Sequence, residues 1–284
     1  MILVADGGST KVDWVAIDSN KNEVFKANTL SLNPNVVSSL EIKSRIENNK
    51  ELKMHKDLIS QIYFYGAGLG TSDPTDILKK NLQSFFLKAT KIVVEEDILG
   101  AAYATAKNQE AIVCILGTGS NSCFYNGKTI EYISPSLGYI VMDEASGNYF
   151  GKQLLRDYFY KKMPKYIADA FCEEFDLSPN TIKFNLYQVD NPNKYLASYT
   201  KFMFKHKEKK YIKKLVKKGF DKFFKYHVLN YKKSKDTPVF FVGSIAYYFK
   251  NLLTQVAEQN NINISGIVAK PIDNLIEYHK RTTI

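Results

Sequence analysis

Asp6-Gly7-Gly8-Ser9-Thr10-Lys11 is a turn-rich hexapeptide set between two apolar runs, Ile2–Ala5 and Val12–Ile17. The runs read as strands and the hexapeptide as their connection. A second copy of the pattern begins at Ala111–Leu116, a strand, followed by Gly117-Thr118-Gly119-Ser120-Asn121 and a strand at Ser122–Tyr125. Asn126-Gly127 is a hairpin signal leading to a third strand over Thr129–Ile133. In the first copy the third strand is Glu23–Ala27, after the turn at Asn20–Asn22. "Strand, glycine turn, strand, strand, then alternating β and α" therefore occurs twice, which predicts an α/β protein of two homologous lobes with ligands in the cleft between them.

Outward from the two turns, the first lobe continues with a weakly helical Val36–Ile46, a strand at Gln61–Tyr65 and a helix capped by Ser72-Asp73-Pro74 and running to Phe86. A strand at Lys91–Val94 and a helix from Ile98 to Lys107 follow. Helices dominate from Ala145 to Tyr231. After them come a strand at Val239–Val242, a helix over Ser244–Glu258, a strand at Ile264–Val268 and a last helix at Ile272–Lys280. The lobes are expected over residues 1–109 and 110–284, the second with a helical insertion and the last helix able to pack back on the first lobe.

Composition narrows the function classes. The chain has 284 residues, 45% hydrophobic and 24% charged, within the globular range. No apolar run reaches the roughly 18 residues of a membrane span, and the N-terminus meets Asp6 too early for a signal peptide. Cys114, Cys123 and Cys172 match no zinc spacing and read as reduced cytosolic thiols. The excess of 39 Lys+Arg over 29 Asp+Glu is concentrated in Lys201–Lys235. There Ile212, Leu215, Val216, Gly219, Phe220, Phe223 and Phe224 form one helical stripe with the lysines opposite. Clustered lysines suit a phosphate backbone, but a charge run is more often a solvated helix face, and no nucleic-acid-binding motif accompanies this one. A cytoplasmic protein without nucleic-acid or membrane partners is expected.

Glycines in the hexapeptide let backbone N–H groups approach a phosphate, with Ser9, Thr10 and Lys11 as further donors. Asp6, ending a buried strand, suits Mg²⁺ held through water; an ordinary β-turn is the plain alternative. Asp97 ends Lys91-Ile-Val-Val-Glu-Glu-Asp97, the strand terminus where α/β folds place ligands, and is also a natural N-cap for the next helix. Asp143-Glu144 precedes the Ala145 helix and has the same two readings. Gly66-Ala-Gly-Leu-Gly70 lacks the last glycine of a dinucleotide fingerprint, since Thr71 stands there, and the chain has no P-loop signature. His55, His206, His227 and His279 are scattered and form no zinc pair.

The order of these motifs resembles the BadF/BadG/BcrA/BcrD-type ATPase family, in its N-acetylglucosamine kinase-like branch of the actin/hexokinase/Hsp70 superfamily. The resemblance spans nearly the whole chain. Asp6–Lys11 is similar to the phosphate-1 motif, Ile115–Ser122 to phosphate-2 and Phe241-Val-Gly-Ser244 to the adenosine motif. Ser31-Leu-Asn-Pro34, Tyr65-Gly-Ala-Gly68, Asp97, Leu137-Gly138 with Asp143-Glu144, and the Ala269–His279 segment complete it. The resemblance implies two ribonuclease-H-like (actin-like ATPase) lobes, ATP and Mg²⁺ as cofactors, and a homodimer. It implies that Gly7, Gly8, Ser9, Thr10, Lys11, Gly117, Thr118, Gly243 and Ser244 bind ATP, and that Asp6 reaches Mg²⁺ through water. It implies that Asn33, Asp97, Ser120, Asn121, Gly138 and Asp143 bind an amino sugar, with Asp97 as general base for its 6-hydroxyl.

The chain departs from the branch at Met142-Asp-Glu-Ala145, where those kinases carry Gly-Asp-Glu-Gly, and at Leu32, where they carry Gly. Met142 is either a specificity element or core packing. The expected activity is transfer of the ATP γ-phosphate to the 6-hydroxyl of N-acetylglucosamine or a close relative. A sugar- and ATP-binding protein with weakened turnover, and an iron–sulfur activator of a dehydratase or reductase, are the alternatives.

Overall fold

The computed structural model describes residues 1–283. The first five strands are β1 (Ile2–Gly7), β2 (Lys11–Ile17), β3 (Glu23–Leu30), β4 (Gln61–Gly66) and β5 (Lys91–Glu96). Helices α1 (Ser39–Glu47), α2 (Lys50–His55), α3 (Ser72–Phe85) and α4 (Asp97–Thr105) are interspersed among them. Then come β6 (Glu110–Leu116), β7 (Ser120–Asn126), β8 (Ile130–Glu131), α5 (Gly147–Phe159), α6 (Lys165–Glu174), α7 (Pro179–Tyr187), α8 (Pro192–Ser198), α9 (Thr200–Lys205) and α10 (Lys210–Phe223). A π-turn at Phe224–Val228 follows, then β9 (Val239–Val242), α11 (Ser244–Tyr248), α12 (Lys250–Gln259), β10 (Ile264–Val268) and α13 (Ile272–Thr282).

The strand order is β3-β2-β1-β4-β5 in one sheet and β8-β7-β6-β9-β10 in the other. Renumbered from the first strand of each half, these are the same order, so the duplication read from the glycine turns extends to complete mixed sheets. In the first sheet β1 pairs antiparallel with β2 and parallel with β4, and β4 pairs parallel with β5. In the second, β9 and β10 are parallel.

The chain divides into two compact units: Met1–Val113 with Tyr125–Ile130 and the segment from Lys270, and Cys114–Phe124 with Glu131–Ala269. In the first unit, strand alternation sends Leu3, Ala5, Val12 and Trp14 to a core closed by α1, α2 and α3. The alternate row, Ile2, Val4, Val15 and Ile17, packs with Ala104 of α4 and Ile272, Leu275 and Ile276 of α13. The second unit buries an aromatic core in which Phe171 contacts Phe202 and Phe223 contacts Phe241.

Some boundaries differ from the sequence reading. The third strand of the second hairpin shrinks to Ile130–Glu131. The N-cap of α3 is Thr71, so Ser72 and Pro74 lie inside the helix, where a first-turn proline loses no hydrogen bond. The Ser244–Glu258 helix is broken at Phe249 into α11 and α12. The apolar stripe of the lysine-rich stretch is buried as expected along α10, and that helix ends in a π-turn within which Phe224 and Val228 are buried. Leu32 is a core residue, 1% exposed.

Candidate functional site

In the first unit the strand alternation that buries Ile2 and Val4 carries Asp6 to the same face, at the end of β1. Cross-strand register sets Asp13 directly opposite it. Burial, then the charges of Asp97 and Asp13, push the Asp6 carboxyl up to about 7, against the opposing pull of Lys11 and Lys270. Asp13 and Asp97 thus bear on Asp6 from one side while Lys11 and Lys270 pull the other way.

The hexapeptide turn is closed by Gly8 N–H donating to Lys11 O at 2.9 Å. Lys11 Nζ lies 2.6 Å from Asp13 Oδ1, so its charge is engaged by that carboxylate. Ser31 is hydrogen-bonded onto the turn twice: its N–H donates to Thr10 O at 3.1 Å and its hydroxyl to Gly8 O at 3.0 Å. Two residues on, the Asn33 side chain rests on Gly68. A Cβ at Gly68 would meet the Asn33 side-chain amide, which would have to shift, and the residue has φ +79°, a backbone conformation that favours glycine. Asn35 Nδ2 donates to Gly68 O at 2.7 Å. The Gly66–Gly70 run is thus a seat for Asn33 at one end, while Gly70 packs against the Glu96 carboxylate. Asp97 itself is the first residue of α4. The N-cap is Glu96, so Asp97 does not cap the helix; it lies in the first turn, where the helix dipole favours its anion. Asp6, Thr10, Asn33 and Asp97 are thereby gathered around one turn.

In the second unit, Gly117–Asn121 is held by the start of α5. Gly147 N–H donates to Gly117 O at 2.8 Å and Asn148 N–H to Thr118 O at 3.0 Å. Ser146 caps α5 by accepting from Tyr149 N–H. Gly243 stands against the same turn: at φ +116°, a Cβ there would lie 2.4 Å from Leu116 O, so the backbone of Gly243-Ser244 reaches contact only without a side chain. Gly117, Thr118, Gly243 and Ser244 therefore belong to one surface.

Asp143 is buried, its Oδ1 accepting from Ser120 N–H at 3.1 Å and its Oδ2 from Asn148 Nδ2 at 2.9 Å. Desolvation raises its pKa and these two bonds oppose the rise. Ser120 also donates its hydroxyl to Glu144 O at 2.8 Å. Gly138, at φ +76°, opens the loop whose Met142 N–H returns to Gly138 O at 2.8 Å. Asp143 and Ala145 both adopt positive φ, at 71° and 60°. Ala145 therefore carries strain of about 1–2 kcal/mol where a glycine would carry none. Met142 lines a small recess with Ser120, Asn121, Tyr226, His227 and Tyr231.

Three partners escaped the sequence reading: Asp13, Asn148 and the Glu144–His227 pair. Alternation in Lys11-Val12-Asp13 was a signal for the first, because residues i and i+2 share a face. The other two are set by tertiary contact. Cys114 and Cys123 are fully buried, and burial holds the Cys114 thiol well above its usual range, so both act as core residues. No described helix is long and apolar enough to cross a membrane.

No protein-family model and no curated protein matches the chain. Solved structures do. A candidate N-acetylglucosamine kinase from Porphyromonas gingivalis is 32% identical, with each chain covered over 100% of its length and a TM-score of 0.93. A candidate N-acetylglucosamine kinase from Chromobacterium violaceum is 13% identical over 98% of both chains, with a TM-score of 0.68. A ROK family glucokinase from Streptomyces griseus, solved with glucose and AMPPNP, is 13% identical over 98% of both chains, with a TM-score of 0.54. The last two share the fold.

Proposed function

Because the chain belongs to the N-acetylglucosamine kinase-like family of the actin/hexokinase/Hsp70 superfamily, we propose that it is an ATP-dependent sugar kinase acting on N-acetylglucosamine or a closely related amino sugar. The observation that carries the reading is the convergence of Asp6, Asp97 and the Asn33–Gly68 seat on one phosphate-type turn.

Gly7, Gly8 and Gly117 leave room for a polyphosphate to approach the backbone closely, and the hydroxyls of Ser9, Thr10 and Thr118 suit its oxygens, while the Gly8 and Gly117 N–H groups close their own turns on Lys11 O and Gly119 O. Gly243 and Ser244 offer a flat backbone surface for adenosine. Asn33, Ser120, Asn121 and Gly138 are the groups assigned to the sugar, and Asp143 braces the turn that presents Ser120. Asp97 accepts the proton of the sugar 6-hydroxyl as its oxygen bonds to the γ-phosphorus and the bond to the departing ADP oxygen breaks. Phosphoryl transfer asks little else of a protein than alignment and charge neutralisation. The buried carboxylate of Asp6 fits Mg²⁺ held through water, and among the described residues no group of three acids or histidines is gathered to grip a metal directly. When bound, Mg²⁺ neutralises phosphate charge. A cytoplasmic homodimer is the assembly we propose.

The test is ADP release over a panel of hexoses and hexosamines, repeated with Asp97→Asn. Turnover on an amino sugar that falls about 10²–10⁴-fold in the variant, with sugar binding retained, supports the reading. No ADP release on any sugar, or a variant as fast as the parent, refutes it.

A further inference from the structure

Glu144 and His227 are 83 residues apart, yet Glu144 Oε2 lies 3.0 Å from His227 Nε2, with both side chains largely buried. The contact holds the Glu144 carboxyl below its usual range. Each partner also grips the start of β7. Glu144 O accepts from Ser120 Oγ at 2.8 Å, and His227 O accepts from Ser122 Oγ at 3.0 Å. Tyr231 OH reaches the same Ser122 hydroxyl at 3.3 Å.

His227 lies within the π-turn, where Leu229 N–H bonds to Phe224 O at 2.9 Å, and its ring stacks on Phe223 at 4.6 Å. π-bulges are frequent at functional sites. Here His227 forms part of the recess shared by Ser120, Asn121 and Met142.

We infer that His227, acting through Glu144 and Ser122, is a positioning residue that sets the sugar side of the site by fixing Ser120 and Asn121 against the Met142–Ala145 loop. This rests on the sugar-kinase reading. The imidazole makes no contact with ATP phosphates in the role assigned, so its loss acts on the sugar selectively.

The experiment measures KM for sugar and for ATP, kcat and melting temperature in the wild type, His227→Ala, His227→Gln, Glu144→Gln and the His227→Ala/Glu144→Gln double variant. The expected result is a sugar KM raised about tenfold in His227→Ala and an ATP KM within about twofold. The Gln variant, whose amide still donates to Glu144, recovers most of the loss. The double variant is no worse than the more impaired single one. Equal rises in both KM values, an unchanged sugar KM, or fully multiplicative effects in the double variant overturn the inference. Should His227→Ala fail to fold, Glu144→Gln alone decides by the same split between the two KM values. A wild type that phosphorylates no sugar overturns the kinase reading and this inference with it, whereas an active wild type with insensitive variants overturns only this inference.

Discussion

Replacing Asp6 with Asn is expected to stabilise the protein at neutral and alkaline pH while abolishing its chemistry. Asp6 ends β1 with Asp13 opposite and Asp97 nearby, and its carboxyl is raised from 3.8 to about 7, chiefly by burial. Between those two values the folded state holds a proton that the unfolded state has released. The folded state therefore binds more protons, and stability from this group falls as pH rises through the window. At about 1.4 kcal/mol per pH unit, the gap amounts to a ceiling of about 4 kcal/mol above pH 7. Asn is isosteric and uncharged, so it escapes this cost, less about 1 kcal/mol for a buried amide that gains imperfect partners. The assay is urea unfolding of both proteins with a chelator present, at pH values from 4 to 8. The variant is expected to be about 3 kcal/mol more stable at pH 8 and about 1 kcal/mol less stable near pH 4, where only the amide cost remains. Equal stability at pH 8, or a difference that widens on acidification, refutes the assignment. Such a trade between stability and a strained functional charge is common at catalytic centres.

Other outcomes are open to measurement. Gly68→Ala forces a Cβ onto Asn33 at a left-handed φ; about 1–2 kcal/mol of lost stability and a raised sugar KM are expected, checked by urea unfolding and steady-state kinetics. His279 is buried against Tyr63, bonded to Tyr65 OH at 3.1 Å, and lowered to about 4. The unfolded state takes the proton first, so stability from this group is lost as pH falls from 6.5 toward 4, and His279→Phe is expected to flatten the unfolding free energy across that window. Met142→Gly enlarges the recess beside Ser120 and Asn121 and is expected to change the ratio of kcat/KM between N-acetylglucosamine and N-acetylmuramic acid; an unchanged ratio would assign Met142 to packing. Magnesium ion is expected to raise the melting temperature of the wild type in the presence of ATP and to lose that effect in Asp6→Asn.

Local signals were enough for the architecture. Glycine turns between alternating apolar runs at Asp6–Lys11 and Gly117–Asn121 are properties of contiguous residues, and they fixed two sheets of one topology. The buried stripe of α10 was likewise legible, because helical period is a local quantity. The π-turn after it was not, since the i, i+4 spacing of Phe224 and Val228 fits an ordinary helix equally well. The same divide runs through the site. Asp6, Asp97 and the glycines are visible as strand ends and turns, whereas the seating of Asn33 on Gly68, the engagement of Lys11 by Asp13 and the pairing of Glu144 with His227 depend on register and on long-range packing. Sequence alone determined which residues stand at the ends of strands. Which of them share a charge environment was decided by tertiary structure, because electrostatic coupling and desolvation depend on distance through space and on burial, neither of which is written in the order of the chain.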